Sequence, residues 1–220
     1  MYVSSPPSPH SATSTVTEQA AVYVVDDDEM SRKSVIALVS AMGVDAQGYD
    51  SAEGFLAAYQ GHRPACVVTD LRMVGMSGVE LQEELLGRGV RMPVIVMTAF
   101  ASTQTTVRAM RNGAVTLLEK PCNENELWEA IRDALATDLE TQRLEAEHAD
   151  IRQKLATLSD KERSVLECMV AGDANKVTAR RLDVSVRTVE NHRRKIFEKM
   201  EADSLAELVR KVMAVDSGSE

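Results

Sequence analysis

Residues 20–28 read AAVYVVDDD, an apolar run that ends in three adjacent carboxylates. The run has the length of a buried strand, but adjacent carboxylates add nothing to an apolar core and suit a hard divalent cation with oxygen ligands. Three later apolar runs also end in polar groups, at Asp70, Thr98 and Lys120. We therefore predict four strands, each of which delivers a polar group at the same end.

The stretches between these runs have the apolar spacing of helices, as at Val35, Leu38 and Val39. Strands that alternate with helices predict right-handed crossovers and a parallel sheet covered on both faces. In such open sheets, ligands lie beyond the carboxyl ends of the strands. We expect one site there, formed by Asp26, Asp27, Asp70, Thr98 and Lys120.

The length and composition limit the classes of protein to which the chain can belong. A chain of 220 residues with three widely spaced cysteines suggests two modest domains without a disulfide framework or zinc site. No stretch approaches the ~18 apolar residues of a membrane span. We expect a cytoplasmic protein with no membrane partner. Residues 1–20 contain 11 Ser, Thr or Pro and predict a disordered tail.

The net charge of −9 conceals a local basic patch. Residues 174–200 carry eight Lys or Arg against three Asp or Glu. A patch of this kind is typical of a nucleic-acid-binding surface, although an isolated patch is more often a solvated face.

The acidic residues have the chemistry of a magnesium site. Asp26, Asp27 and Asp70, with the backbone carbonyl of Arg72 and water, are predicted to share one Mg2+, which removes the penalty of crowding like charges. Asp70 is then an ionised nucleophile that accepts a phosphoryl group. Lys120 would neutralise charge on the phosphoryl oxygens and Thr98 would donate a hydroxyl hydrogen bond. Taken singly, each residue is more often a cap or a solvated charge.

Four motifs carry a resemblance to a known family: VVDDD at 24–28, VVTDLRM at 67–73, VMTA at 96–99 and EKP at 119–121. Together they resemble the receiver domains of two-component response regulators. The resemblance implies a doubly wound five-stranded α/β fold, Asp70 as phosphoacceptor, a partner histidine kinase and a cis peptide before Pro121. Two positions depart from the family pattern. Val74 replaces a usual proline, and Leu117 replaces the aromatic that usually serves as a switch residue.

A long helix is predicted to follow the receiver, because apolar residues recur at helical spacing from Leu127 to Leu158 without glycine or proline. Its polar faces suit a solvent-bridging helix or a two-chain coiled coil. A surface helix that packs on its own receiver is equally compatible.

The basic region predicts a helix-turn-helix within four helices, in which Ser159 and Glu162 form a capping box and Ser185 caps a helix from Val186 to about Met200. The other two helices are expected near residues 175–182 and 204–215. Glu190, Asn191 and Arg194 share one face and have the chemistry to contact base edges. The residues predicted to contact phosphates are Lys176, Arg187, Thr188, Arg193 and Lys195.

The run from Leu158-Ser159 through Asn175-Lys176 and Val184-Ser185 to Arg187-Thr188-Val189-Glu190 closely resembles the LuxR-type helix-turn-helix. The whole chain thus resembles a NarL/FixJ-type response regulator, nearer the FixJ side. The resemblance implies that the last helix is the dimer contact on DNA. The predicted organisation is a disordered tail (1–20), a receiver domain (21–137), a long helical linker (138–157) and an all-α helix-turn-helix domain (158–216).

The predicted function is a response regulator transcription factor without enzymatic activity. A histidine kinase phosphorylates Asp70, the protein forms a homodimer, and the dimer binds promoter DNA, with RNA polymerase as a further expected partner. Two alternatives stay open. Val74 and Leu117 suggest a DNA-binding regulator that does not depend on phosphorylation. An aspartyl-phosphate phosphohydrolase is less favoured, because Arg72 stands where such enzymes commonly carry a second acid.

Overall fold

A computed structural model describes residues 20–99 and 103–216, without the side chains of residues 103–105 and 216. Apart from Ala20, the predicted disordered tail lies outside the described residues. The chain divides into two compact units between Gln142 and Arg143, within the predicted linker. The predicted domain bounds stay predictions.

A parallel sheet forms the first unit. Its five strands have the spatial order β2-β1-β3-β4-β5 and are β1 (Ala21–Val25), β2 (Asp45–Tyr49), β3 (Ala65–Asp70), β4 (Val94–Thr98) and β5 (Thr116–Glu119). The helices that alternate with them are α1 (Glu29–Ala41), α2 (Ala52–Ala58), α3 (Gly78–Gly87), α4 (Thr103–Arg111) and α5 (Glu124–Ala156). The predicted doubly wound five-stranded fold is confirmed.

Both faces of the central strands are buried, which explains their continuous apolar sequence. Because successive side chains point to opposite faces, Tyr23 packs on Phe55 in one core layer, with ring centroids 5.2 Å apart. Val22 and Val24 lie in the other layer, together with Ile131 of α5.

The strand register brings the polar ends together. Val25 pairs with Thr69, Asp70 with Met97, and Thr98 with Glu119. Asp26, Asp70, Thr98 and Lys120 therefore lie along the carboxyl edge of four neighbouring strands.

The helix α5 is 33 residues long. Its apolar stripe begins with Leu127, Ile131 and Leu135, which are buried against the sheet of the first unit. The fully buried Asp138 accepts hydrogen bonds from the Arg63 guanidinium at 2.8 and 3.1 Å and from the Ala65 N–H at 2.9 Å. These bonds attach the helix to the start of β3.

Four further helices form the second unit: α6 (Asp160–Val170), α7 (Asn175–Arg181), α8 (Val186–Met200) and α9 (Leu205–Asp216). Ile151, near the end of α5, is buried in the same core. Three bounds differ by one residue from the prediction, because Leu182 is the C-cap of α7 and α9 spans Leu205–Asp216 instead of 204–215. Across the described ranges, no helix combines the length and apolarity that a bilayer span needs.

Candidate functional site

Lys120 follows the outermost strand, β5, and its ammonium contacts two carboxylates at the ends of β1 and β3. Its Nζ donates to Asp70 Oδ1 at 2.6 Å and to Asp26 Oδ2 at 2.8 Å. Burial lowers the pKa of Lys120, but the hydrogen bonds to both carboxylates and their negative charges together outweigh burial, so the pKa is raised above its usual value. Lys120 is therefore a fixed positive charge beside Asp70.

The three consecutive acids at the end of β1 have three different environments. Asp26 is buried and accepts hydrogen bonds from the Ser31 hydroxyl at 2.6 Å and the Asp28 N–H at 3.0 Å. Asp28 is the N-cap of α1 and accepts from the Ser31 N–H at 2.7 Å. The run of acids did not indicate this capping role, although Asp is a preferred N-cap residue.

Asp27, in contrast, is exposed and contacts the loop that follows β3. Its Oδ2 accepts a hydrogen bond from the Val74 N–H at 2.9 Å. In the same loop, the Arg72 N–H donates to Asp70 Oδ2 at 2.7 Å. The loop backbone therefore orients both carboxylates.

Glu53, in the first turn of α2, is a neighbour of the site that the sequence did not reveal. Its Oε1 accepts a hydrogen bond from the Met76 N–H at 3.0 Å. No local motif connects residues 23 positions apart, so only the folded chain shows this contact.

The donor set fits Mg2+ in its chemistry, because it consists of carboxylate and carbonyl oxygens. Within ranges 20–99 and 103–216, no group of three or more His, Cys, Asp or Glu is arranged as a metal site, and Lys120 lies between Asp26 and Asp70. Mg2+ usually keeps several waters, which would complete the ligand set that these oxygens begin.

Thr98, the predicted hydroxyl donor, and Leu117, at the switch position, lie on neighbouring strands. Thr98 is buried at the end of β4, and its carbonyl accepts a hydrogen bond from the Lys120 N–H at 2.7 Å. Leu117 is paired with Val96 and packs against the core layer that contains Tyr23. A shift of Thr98 would therefore act directly on the backbone of Lys120.

Gly78, at the start of α3, approaches the Asp70 backbone so closely that a Cβ would collide with the Asp70 carbonyl. Its N–H donates to the Leu71 carbonyl at 3.3 Å. Glycine at this position therefore lets the start of α3 pack directly against the Asp70 backbone.

In the second unit, α8 has one buried and one exposed face. Val189, Ile196 and Met200 are buried. The predicted DNA-contacting residues that are exposed are Lys176 on α7 and Arg187, Glu190, Asn191, Arg194 and Lys195 on α8.

The remaining two predicted contacts, Thr188 and Arg193, are partly buried. Ser185 caps α8 by accepting from the Thr188 N–H at 3.0 Å, and the two hydroxyls lie 2.8 Å apart. Thr188 thus has a capping contact in addition to its predicted contact with DNA.

A partly buried ion pair connects α8 with α6. Glu162 accepts from Lys199 Nζ at 2.7 Å and from the Ser159 N–H at 2.9 Å. The Lys199 ammonium and the Ser159 amide lower the pKa of Glu162 to about 2. The predicted capping box is present and is extended by a lysine that the sequence pattern did not indicate.

The first unit, with carboxylates and a lysine at the carboxyl edge of its sheet, has the architecture of a phosphoacceptor domain. The second unit has the two helices, the tight turn and the exposed basic face of a helix-turn-helix. The class that they define is a DNA-binding protein with a receiver-type domain.

Comparisons with known families give the same result. Residues 22–132 match the response regulator receiver domain, and residues 156–212 match the luxR family of bacterial regulatory proteins. The chain belongs to the response regulators that join a receiver domain to a LuxR-type DNA-binding domain.

Similar proteins cover nearly the whole chain. The transcriptional regulatory protein FixJ of Azorhizobium caulinodans is 42% identical over 193 residues, which are 88% of this chain and 92% of that protein. FixJ of Rhizobium meliloti is 43% identical over 88% of this chain and 95% of its own length. The structure of the response regulator StyR matches with a TM-score of 0.80 at 35% identity, covering 89% of this chain and 98% of StyR. Full-length FixJ from B. japonicum matches with a TM-score of 0.56 at 37% identity, covering 91% of this chain and 99% of that chain.

The protein is therefore a transcription regulator controlled by two-component phosphorylation. Response regulators of this family work with a sensor kinase and bind DNA, and receiver domains generally bind Mg2+ at the acidic phosphorylation site. The FixJ relatives are likewise transcriptional regulators.

Proposed function

We propose that Asp70 is the phosphoacceptor of this regulator. The observation that carries the proposal is the contact of Lys120 Nζ with Asp70 Oδ1 at 2.6 Å. An adjacent ammonium offsets the negative charge of an incoming phosphoryl group. A carboxylate oxygen attacks phosphorus, the bond from phosphorus to the donor breaks, and an acyl phosphate forms.

Asp26, Asp27, Asp70 and the carbonyl of Arg72 would hold Mg2+. When bound, Mg2+ supplies further positive charge beside the phosphoryl oxygens. Thr98 is the proposed hydroxyl donor to the phosphoryl group, and its carbonyl bond to the Lys120 N–H connects that contact with β5. Leu117 on β5 occupies the switch position, where an aliphatic side chain replaces the usual aromatic.

Phosphorylation is proposed to favour a homodimer, which delivers two copies of α8 to adjacent half-sites. Binding through both copies raises the effective concentration of the second contact. The proposed dimer contact on DNA is α9, which exposes Leu205 and Met213. RNA polymerase is a further proposed partner, because the dimer would bind at promoters.

The experiment that tests this function adds acetyl phosphate and Mg2+ to the full-length protein. We expect the mass to increase by one phosphoryl group, the oligomeric mass in sedimentation to double, and DNA affinity to rise. An unchanged mass would overturn the proposal. DNA binding that is the same with and without the adduct would favour a phosphorylation-independent regulator, and sustained turnover of phosphate esters would favour a phosphohydrolase.

We propose that Glu190, Asn191 and Arg194 read base edges, since all three are exposed on α8. The proposed phosphate contacts are Lys176, Arg187, Thr188, Arg193 and Lys195. Phosphate contacts position the domain without reading sequence, so substitutions in the two groups should have different signatures.

Arg194→Ala is expected to weaken binding to a selected site by about 1–3 kcal/mol and to relax sequence preference, because a bidentate contact with a base is lost. Anisotropy titrations of the preferred site and a scrambled duplex, at several salt concentrations, measure both effects. The matched control is Lys195→Ala, the next exposed cation on α8, which should weaken both duplexes equally and reduce the salt slope by about 1. An equal loss of affinity for both duplexes in Arg194→Ala would instead indicate that Arg194 contacts a phosphate.

A further inference from the structure

Alternate backbone amides in the loop after β3 donate to three carboxylates from three different elements. Arg72 N–H donates to Asp70 of β3 at 2.7 Å. Val74 N–H donates to Asp27, which follows β1, at 2.9 Å. The third amide, of Met76, donates to Glu53 of α2 at 3.0 Å. The loop therefore connects the partly buried Asp70 and the exposed Asp27 to Glu53 of α2.

The middle amide distinguishes this chain from the family pattern. Val74 stands where receivers usually have proline, and proline has no N–H to donate. Val74 is 83% exposed, so its packing contributes little to the fold. The backbone N–H is the part of Val74 that contacts the site.

We propose that Val74 is a positioning residue for the cation site and acts through its backbone N–H. The amide donates to Asp27 Oδ2 and would hold the Asp27 carboxylate in one orientation toward Mg2+. Hydrogen bonds to metal-ligating carboxylates set the orientation of the ligand, and their loss typically lowers metal affinity by about 10- to 100-fold. The proposal rests on the proposed function, in which Asp27 is a Mg2+ ligand.

Calorimetric titration of the full-length protein with Mg2+ alone tests the proposal, because no phosphodonor or DNA is needed. We expect Val74→Pro to bind Mg2+ about 10-fold more weakly than wild type, since it lacks the donor. Val74→Ala, the matched control, keeps the N–H and should bind as wild type does. Equal Mg2+ affinity of Val74→Pro and wild type would overturn the proposal.

A second variant separates the donor from the loop conformation. Incorporation of the α-hydroxy acid analogue of valine at position 74 replaces the backbone N–H by an ester oxygen. The side chain is unchanged, and the backbone dihedral angles are not restricted as they are by proline. Weakened Mg2+ binding by both the ester and Val74→Pro supports the role of the amide. Weakening by Val74→Pro with wild-type affinity of the ester would overturn it. A wild-type protein that binds no Mg2+ would instead refute the proposed function, and this inference with it.

Discussion

Asp70→Asn is expected to abolish the mass increase that acetyl phosphate and Mg2+ produce in the wild-type protein. The amide oxygen can still accept a hydrogen bond from Lys120, so the site is expected to stay folded, but a neutral amide is not a competent nucleophile for phosphoryl transfer. The phosphodonor should then have no effect on DNA affinity. Intact-mass spectrometry and DNA titrations, each with and without phosphodonor, measure the two losses.

The matched control is Asp50→Asn. Asp50 directly follows β2 at the same edge of the sheet, and its carboxylate accepts from the Ser51 hydroxyl at 2.9 Å. This variant should gain one phosphoryl group, as the wild type does. A full adduct on Asp70→Asn would place the phosphoacceptor elsewhere. DNA binding by Asp70→Asn equal to that of the phosphorylated wild type would favour the phosphorylation-independent alternative.

The sequence predicted those features that local patterns encode. Apolar runs that end in Asp26, Asp70, Thr98 and Lys120 predicted the shared edge, because parallel strands bring their carboxyl ends together. Serine followed three residues later by glutamate predicted the capping box at Ser159, and the same signal is present for α3 at Ser77.

Contacts between distant segments of the chain could not be predicted in this way. The Val74 amide contacts Asp27 across 47 positions, and Arg63 contacts Asp138 across 75. The type of a residue does not show whether its backbone N–H will donate to a distant side chain. The sequence therefore marked Val74 only as a departure from the usual proline. In the sequence, Asp138 is a polar residue at the start of the predicted linker helix. Helical periodicity does not show which polar residue of a helix is buried, so the role of Asp138 could not be predicted.

Asp138→Ala is expected to destabilise the first unit by about 3–5 kcal/mol, because removing the fully buried partner of an ion pair is strongly destabilising. The Asp138 side chain is 0% exposed and that of Arg63 is 17% exposed. The substitution also leaves the Ala65 N–H, at the start of β3, without its carboxylate acceptor. The start of a central strand and the attachment of α5 are thus weakened together.

Urea unfolding followed by the fluorescence of Trp128 measures the effect on the first unit, since Trp128 is the one tryptophan of the chain and packs against the core layer of β1 and α5. The matched control is Asp133→Ala on the same helix, whose side chain is 70% exposed and 3.5 Å from Arg132. It should change stability by less than about 1 kcal/mol, as exposed pairs do. Asp138→Asn should lie between the two, because its amide oxygen can still accept from the Ala65 N–H. Equal midpoints for Asp138→Ala and Asp133→Ala would show that the buried pair does not hold α5 to the sheet.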